Sequence, residues 1–369
     1  MAGRIARLMF AAVLALGAGA CSDATGGNGE PIVFGPEGNN LNAYSTGAEV
    51  VKQTVITNSD VDPNGRDING QVCFAPDGSR VFVAGEDTGQ PNPPAGFGLF
   101  QLSGSEVGSL SAVQIGKLTP TYPGAETSIP DPYGCSFLSD GRLVTSDIGN
   151  NQSGAGNGQV IVWFPPLDVA APSYCKIDVA VGTAGQVYID SENHVYVTSS
   201  RVEPGVYRYS NLPTSADAAG GCAGHDETGA PLSTSVVRER FIIADANIPT
   251  VNGVAGTSSG TFYVSSVLSG VIAEYGADGK FLRRILEPPA GETIGFEPYS
   301  TGTPLGIAVD RSGTVYYADL GLVFRNGNFG PGTRTGTVRR IRFDGDVPQP
   351  PETMDARLSF PDAVGVFTP

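Results

Sequence analysis

Five stretches of the chain share one template, and that repetition limits the fold more than any other feature of the sequence. "GQVCFAPDGSRVFVAGED", "YGCSFLSDGRLVTSDIG", "GQVYIDSENHVYVTSS", "NGVAGTSSGTFYVSS" and "LGIAVDRSGTVYYADLG" each read as a short apolar strand, a tight polar turn and a second alternating strand that ends in polar residues. The turns centre on Asp77-Gly78, Asp140-Gly141, Glu192-Asn193, Ser259-Gly260 and Ser312-Gly313, residue types that tolerate the positive φ a hairpin needs. Two more strand-like runs follow each hairpin, as in "VIVWFPP" then "YCKIDVAV", or "GVYRYS" then "VVRERFIIA".

Four-stranded units at this spacing predict an all-β chain folded as a β-propeller of antiparallel blades. Composition agrees, with 51 Gly, 28 Pro and only 16% charged residues. A sixth blade is expected from the two chain ends. The final "PDAVGVFTP" matches an inner strand, and "PIVFGP", "NLNAYS" and "VKQTVI" match the three outer strands of the same unit. Closing the ring this way removes a free sheet edge. No linker divides residues 31–369, which are expected to form one domain.

Before that domain, residues 1–20 carry Arg4, Arg7 and the apolar run "LMFAAVLALGAGA", the pattern of a secretory signal too short to be a membrane span. Cys21 follows at once. The junction "AGAC" resembles the lipobox of bacterial lipoproteins, although Ala18 stands where leucine is usual. The resemblance implies lipidation of Cys21 and an exported lipoprotein held in the periplasm or at the outer membrane or cell surface, and "SDATGGNGE" has the composition of a flexible tether, expected over residues 21–30. Removing the signal's two arginines takes the formal net charge from −15 to −17. So acidic a protein lacks the footprint for nucleic acid, and its contact with a membrane is expected through the lipid alone. A small molecule or a protein is the expected partner, and the chain is expected to be a monomer.

Four cysteines remain, none at zinc-finger or CxxC spacing, so disulfides are expected in an exported protein. Cys175 opens the outer strand of the second blade and Cys222 lies in the loop leading to the outer strand of the third, which predicts a bridge between them. Cys73 and Cys135 fall in inner strands and are expected as buried thiols.

"NSDVDPNGRDINGQV", residues 58–72, places Asp60, Asp62, Asn64 and Gly65 as an EF-hand loop would, but Gln71 stands where a bidentate carboxylate belongs. Such clusters also make ordinary turns. In a propeller this segment connects the sixth blade to the first. Asp67 and Asn69 would then reach the channel while Asp60 and Asp62 stay near the rim.

The units "PLGIAVDRSGTVYYADLG" and "VNGVAGTSSGTFYVSS" resemble NHL-type repeats and the six-bladed senescence-marker-protein and gluconolactonase-like propellers. The resemblance implies a divalent cation, calcium above all, held at the channel mouth by residues that precede the inner strands. In register these are Asn69, Tyr133, Ala184, Asn252, Leu305 and Asp362, and the implied metal ligands are Asn69, Asn252 and Asp362. Tyr133, Ala184 and Leu305 depart from the family's asparagine-rich pattern, so a water-filled polar channel stands beside the cation reading.

The ends of the second strands add Glu86, Asp87, Asp147, Ser266 and Asp319 to that face, and Arg201 follows "VTSS" at the same level. Glu86, Asp87 and Arg201 are candidate ligand-binding residues. Long loops such as "EDTGQPNPPAGFG", "DIGNNQSGAGNGQ" and "DLGLVFRNGNFGPGTRTG" share the face and suggest a binding rim. The two histidines, His194 and His225, map away from it, which argues against Ser-His-Asp or Cys-His chemistry there. A hydrolase would need a metal as Lewis acid, with Asp362, Asp147 or Asp319 handling the proton. Two function classes stay open: a noncatalytic binding or scaffold protein, and a metal-dependent hydrolase of lactones or esters.

Overall fold

Each repeat folds as an antiparallel meander because its apolar residues alternate at the strand period and its Asp and Gly residues close the turns. The structure, a computed structural model, describes residues 29–38, 40–57, 67–87, 95–121, 131–149, 158–292, 301–325 and 328–369. They form six four-stranded blades around a channel, and no helix occurs among them. Blade 1 runs from the channel outward through Asp67–Phe74, Val81–Asp87, Gly96–Ser103 and Ser111–Leu118. Blade 2 holds Pro132–Phe137, Leu143–Asp147, Gly158–Trp163 and Tyr174–Val181; blade 3 holds Ala184–Ile189, Val195–Ser199, Gly205–Ser210 and Val237–Ile243. Blade 4 comprises Val254–Gly256, Phe262–Ser266, Val271–Tyr275 and Phe281–Leu286, and blade 5 comprises Pro304–Val309, Val315–Asp319, Gly336–Ile341 and Glu352–Leu358.

Blade 6 joins the two ends of the described chain. Its inner strand is Gly365–Phe367, hydrogen-bonded to Ile32–Glu37 with Ile32 opposite Phe367, and Asn40–Ser45 and Lys52–Ile56 lie outside. The amide of Gly29 also donates to Pro369 O at 3.2 Å, so both ends of the domain lie on the hairpin-turn side, opposite Asp362.

Apolar side chains fill the six gaps between neighbouring blades, each with its own cluster. Between blades 6 and 1, for example, Phe34, Phe74, Phe82, Phe100 and Phe367 pack together, with Phe82 stacked on Phe100 at 5.1 Å. Trp163 is buried between blades 1 and 2 and donates its indole N–H to Thr145 at 2.9 Å. The aromatics inside the strands are therefore packing residues.

Near the channel the blades approach too closely for side chains. Gly253 and Gly306 face carbonyl oxygens of the next blade, and a Cβ added to them would lie 2.6 Å from Leu305 O and 2.8 Å from Asp362 O respectively. Gly70, Gly134 and Gly185 face the next blade's backbone in the same way. Hydroxyls stitch the same seam. Gly253 N donates to Ser265 Oγ at 2.7 Å, and Ser265 in turn donates to Leu305 O of the next blade. Ser146 and Thr198 repeat the link to Gly185 O and Asn252 O. Each such bond is worth about 0.5–1.5 kcal/mol net.

On the opposite face, carboxylates close the turns. Asp190 accepts from the amides of Glu192 and His194, and its other oxygen accepts from Tyr196 OH at 3.0 Å; Asp310 does the same for Ser312, Thr314 and Tyr316. His194 belongs to one of these turns, with Nδ1 3.0 Å from Asp190.

The segment between the third and fourth strands of blade 3 contains His225 and crosses to its neighbour. Its short strands Gly224–His225 and Pro231–Leu232 extend the sheet of blade 2, with Leu232 parallel to Lys176. The Cys175–Cys222 disulfide fixes this strap, and Lys176, buried, meets the buried Asp226 at 2.5 Å. Burying Lys176 unpaired would cost several kcal/mol, so Asp226 is part of the reason the strap stays down.

One expectation is corrected here. Cys73 and Cys135 form a disulfide instead of remaining thiols. The inner strands of blades 1 and 2 are neighbours, and their close approach brings the two Cα atoms to 5.8 Å, within bridging range.

Candidate functional site at the channel mouth

The residue before each inner glycine, and Asp362 before Ala363 in blade 6, sits at one end of the channel, and the ring contacts show which of these residues meet. Gly306 N donates to Asp362 O at 3.0 Å, which sets Leu305 beside Asp362. Gly70 N donates to Asp362 Oδ2 at 3.2 Å, which sets Asn69 on its other side. The side chain of Asn69 donates to Asp131 Oδ1 at 3.2 Å. Two carboxylates therefore flank the dipeptide Asn69-Gly70.

Tyr133 completes this group. Its hydroxyl reaches from blade 2 past blade 1 and donates to Asp362 O at 2.8 Å. The passage exists because residue 70 is glycine, at φ +72°; a Cβ there would lie 2.8 Å from Tyr133 Cα. Burial, then the charges of Asp362 and Asp131, push the Tyr133 phenol well above its usual range, so it stays protonated and acts as a donor.

The other predicted site residues are held elsewhere. Asp319 is buried and accepts from five donors of its own blade: Thr303 N and Oγ1, Gly321 N, Thr337 Oγ1 and Arg339 Nη2. Such a carboxylate pins the strand end and has little capacity left for a substrate proton. Asp147 repeats the glycine contact of this arrangement, with Gly149 N donating to Oδ1 at 2.7 Å as Gly321 N does to Asp319. Both belong to an Asp-X-Gly turn at the end of a second strand.

Glu86 is fully buried and lies 3.0 Å from Lys117, with Gln114 donating to its other oxygen at 2.9 Å, so it braces the outer strands of blade 1. The amide oxygen of Asn252 accepts from Val267 N at 3.0 Å within blade 4. Arg201 is exposed beyond the end of Val195–Ser199. The backbones of Asp67 and Asp87 pair across blade 1, whereas their side chains, and Asp60, Asp62, Asn64 and Gly65 altogether, lie outside the described residues. Among the described residues, no three His, Cys, Asp or Glu side chains gather as a metal cluster. Hydrogen bonds link Asp131 to the side chain of Asn69 and Asp362 to the amide of Gly70.

Gln71 and Gln186 carry roles that the sequence reading missed. Gln71 accepts from the amides of Cys135 and Val187 and donates to Val187 O at 2.9 Å, so a blade 1 side chain pairs with blade 3 as a strand would. Gln186 makes the same two bonds to the backbone of Ile307, from blade 3 to blade 5. Both are buried just below the mouth. The signal was the recurring "GQV" at 70–72 and 185–187, in which the glutamine is an extra residue where the inner strand shifts register.

Comparison with known proteins adds the fold and no more. No protein-family model matches the chain, and no curated protein matches it in sequence. Among solved structures it is similar to a chain of the nidogen/laminin complex, at a TM-score of 0.56 and 11% identity over 91% of this chain and 98% of that one. It is also similar to a luciferin-regenerating enzyme, at 0.52 and 13% over 90% and 97% of the two chains. A Bacteroides caccae protein of unknown function matches at 0.51 and 9%, over 92% and 99%. What they share is the propeller.

Proposed function

We propose that the protein is an exported, lipid-anchored propeller whose channel mouth holds a cation and a small ligand without turning the ligand over. The observation that carries this reading is the bonding of its acids. Asp319 is saturated by donors and Glu86 is paired with a lysine, whereas a general base needs a lone pair within reach of the substrate's proton. Fold alone decides nothing, since one similar structure is named an enzyme and another belongs to a complex of nidogen and laminin.

The oxygen set at Asn69, Asp131 and Asp362 fits a hard cation such as calcium. Two carboxylates beside one dipeptide repel each other, and a cation between them relieves that cost. When bound, the ion would supply Lewis-acid polarisation of a ligand oxygen. Because Gly29 lies beside Pro369 on the hairpin side, a lipid on Cys21 would turn the mouth away from the membrane. Cys21→Ala is expected to move the protein from the membrane pellet to the soluble fraction; an unchanged pellet would refute the anchor.

A second reading, a metal-dependent hydrolase of lactones or esters, is favoured by one feature, the buried Asp362 whose backbone carbonyl accepts from a protonated phenol. A panel of small lactones and esters, with calcium and with chelator, separates the two. The binding reading expects hydrolysis no faster than in buffer. Calcium-dependent turnover abolished by Asp362→Ala would install the hydrolase instead.

A further inference from the structure

Tyr133 breaks the run of small polar residues expected at the mouth, and its placement gives that break a purpose. We infer that Tyr133 is a positioning residue for the mouth's cation site, acting through Asp362. This inference rests on the cation reading above and names a residue outside the implied ligand set.

Three contacts carry it. The Tyr133 hydroxyl donates to the backbone carbonyl of Asp362 at 2.8 Å, fixing the main chain that bears the carboxylate. The backbone of Tyr133 lies over Gly70, so it also fixes the amide that donates to Asp362 Oδ2 at 3.2 Å. Two residues before Tyr133, Asp131 is bonded to Asn69, the neighbour of Gly70. One segment of blade 2 thus holds both carboxylates in place, from opposite sides of Asn69-Gly70. Asp362 belongs to the short stretch leading into the last inner strand, Gly365–Phe367, and its carbonyl also accepts from Gly306 N of blade 5 at 3.0 Å. A cation needs its oxygens held before it arrives, since ordering them on binding would subtract from affinity.

The test compares two tyrosines that lose the same kind of bond. Tyr317 in blade 5 is also buried, and its hydroxyl donates to a backbone carbonyl, that of Thr301, at 3.0 Å. Tyr133→Phe and Tyr317→Phe should lower the melting temperature of the calcium-free protein by similar amounts. Calcium affinity, measured by titration calorimetry on the mature full chain, should fall roughly threefold to tenfold in Tyr133→Phe alone, the range of one net hydrogen bond. Tyr133→Leu removes the ring as well and should weaken calcium further.

Equal calcium affinity in wild type and Tyr133→Phe would overturn the inference while leaving the cation reading intact, as would an equal loss in Tyr317→Phe. Absence of any calcium response in the wild type would overturn both.

Discussion

Gly70→Ala is expected to destabilise the protein by about 3 kcal/mol or more, combining the cost of a left-handed non-glycine residue with overpacking against fixed backbone. Its φ is +72°, and the added methyl would press on the main chain of Tyr133, which cannot rotate away as a side chain would. Gly78 is the matched control. It has φ +73° in a hairpin turn with nothing within 4 Å of its missing Cβ, so Gly78→Ala should cost only the backbone term, about 1–2 kcal/mol. Denaturant melts of both variants measure the difference. Equal losses would mean that the inner strands can part to admit a side chain, contrary to the close-packed ring described above.

The same glycines explain how much of the fold was legible in the sequence. Turn residues such as Asp77-Gly78 and Ser312-Gly313, and the strands on either side of them, act locally, and local patterns are what a sequence displays. The three outer strands of blade 6 were readable for the same reason, since "PIVFGP", "NLNAYS" and "VKQTVI" are complete strands in themselves. Contacts across blades were not readable. Cys73 and Cys135 are 62 residues apart, and nothing in either strand signals that their Cα atoms face each other. Tyr133 to Asp362 and Gln71 to Val187 are likewise decided by which inner strands are neighbours.

The candidate site divides along the same line. Register set Asn69 and Asp362 at the same level before their inner strands, and the bond from Gly70 N to Asp362 Oδ2 links the two segments there. It also placed Asp147, Asp319 and Asn252 there, but position along a strand does not say which donors a side chain will find. Asp319 found Thr337 and Arg339 on the adjacent strand, and Asn252 found the amide of Val267. The "DIG" and "DLG" tripeptides at 147–149 and 319–321 were a usable clue, since Asp followed by glycine two residues on commonly closes a turn through its carboxylate.

A calcium titration followed by thermal melting tests most directly whether the mouth is the binding site. An ion that binds only the native state adds about 2.7 kcal/mol at a concentration 100 times its Kd. The wild type should show such a gain. Asp362→Ala should lose nearly all of it, because the variant removes a charged oxygen ligand and leaves Asp131 alone beside Asn69. Asp319→Asn should melt lower at every calcium concentration yet keep the gain, since that carboxylate serves the strand end. A retained gain in Asp362→Ala would contradict the account, and most sharply if Asp62→Ala lost it, for the ion would then belong to "DVDPNG" and the channel mouth would hold none.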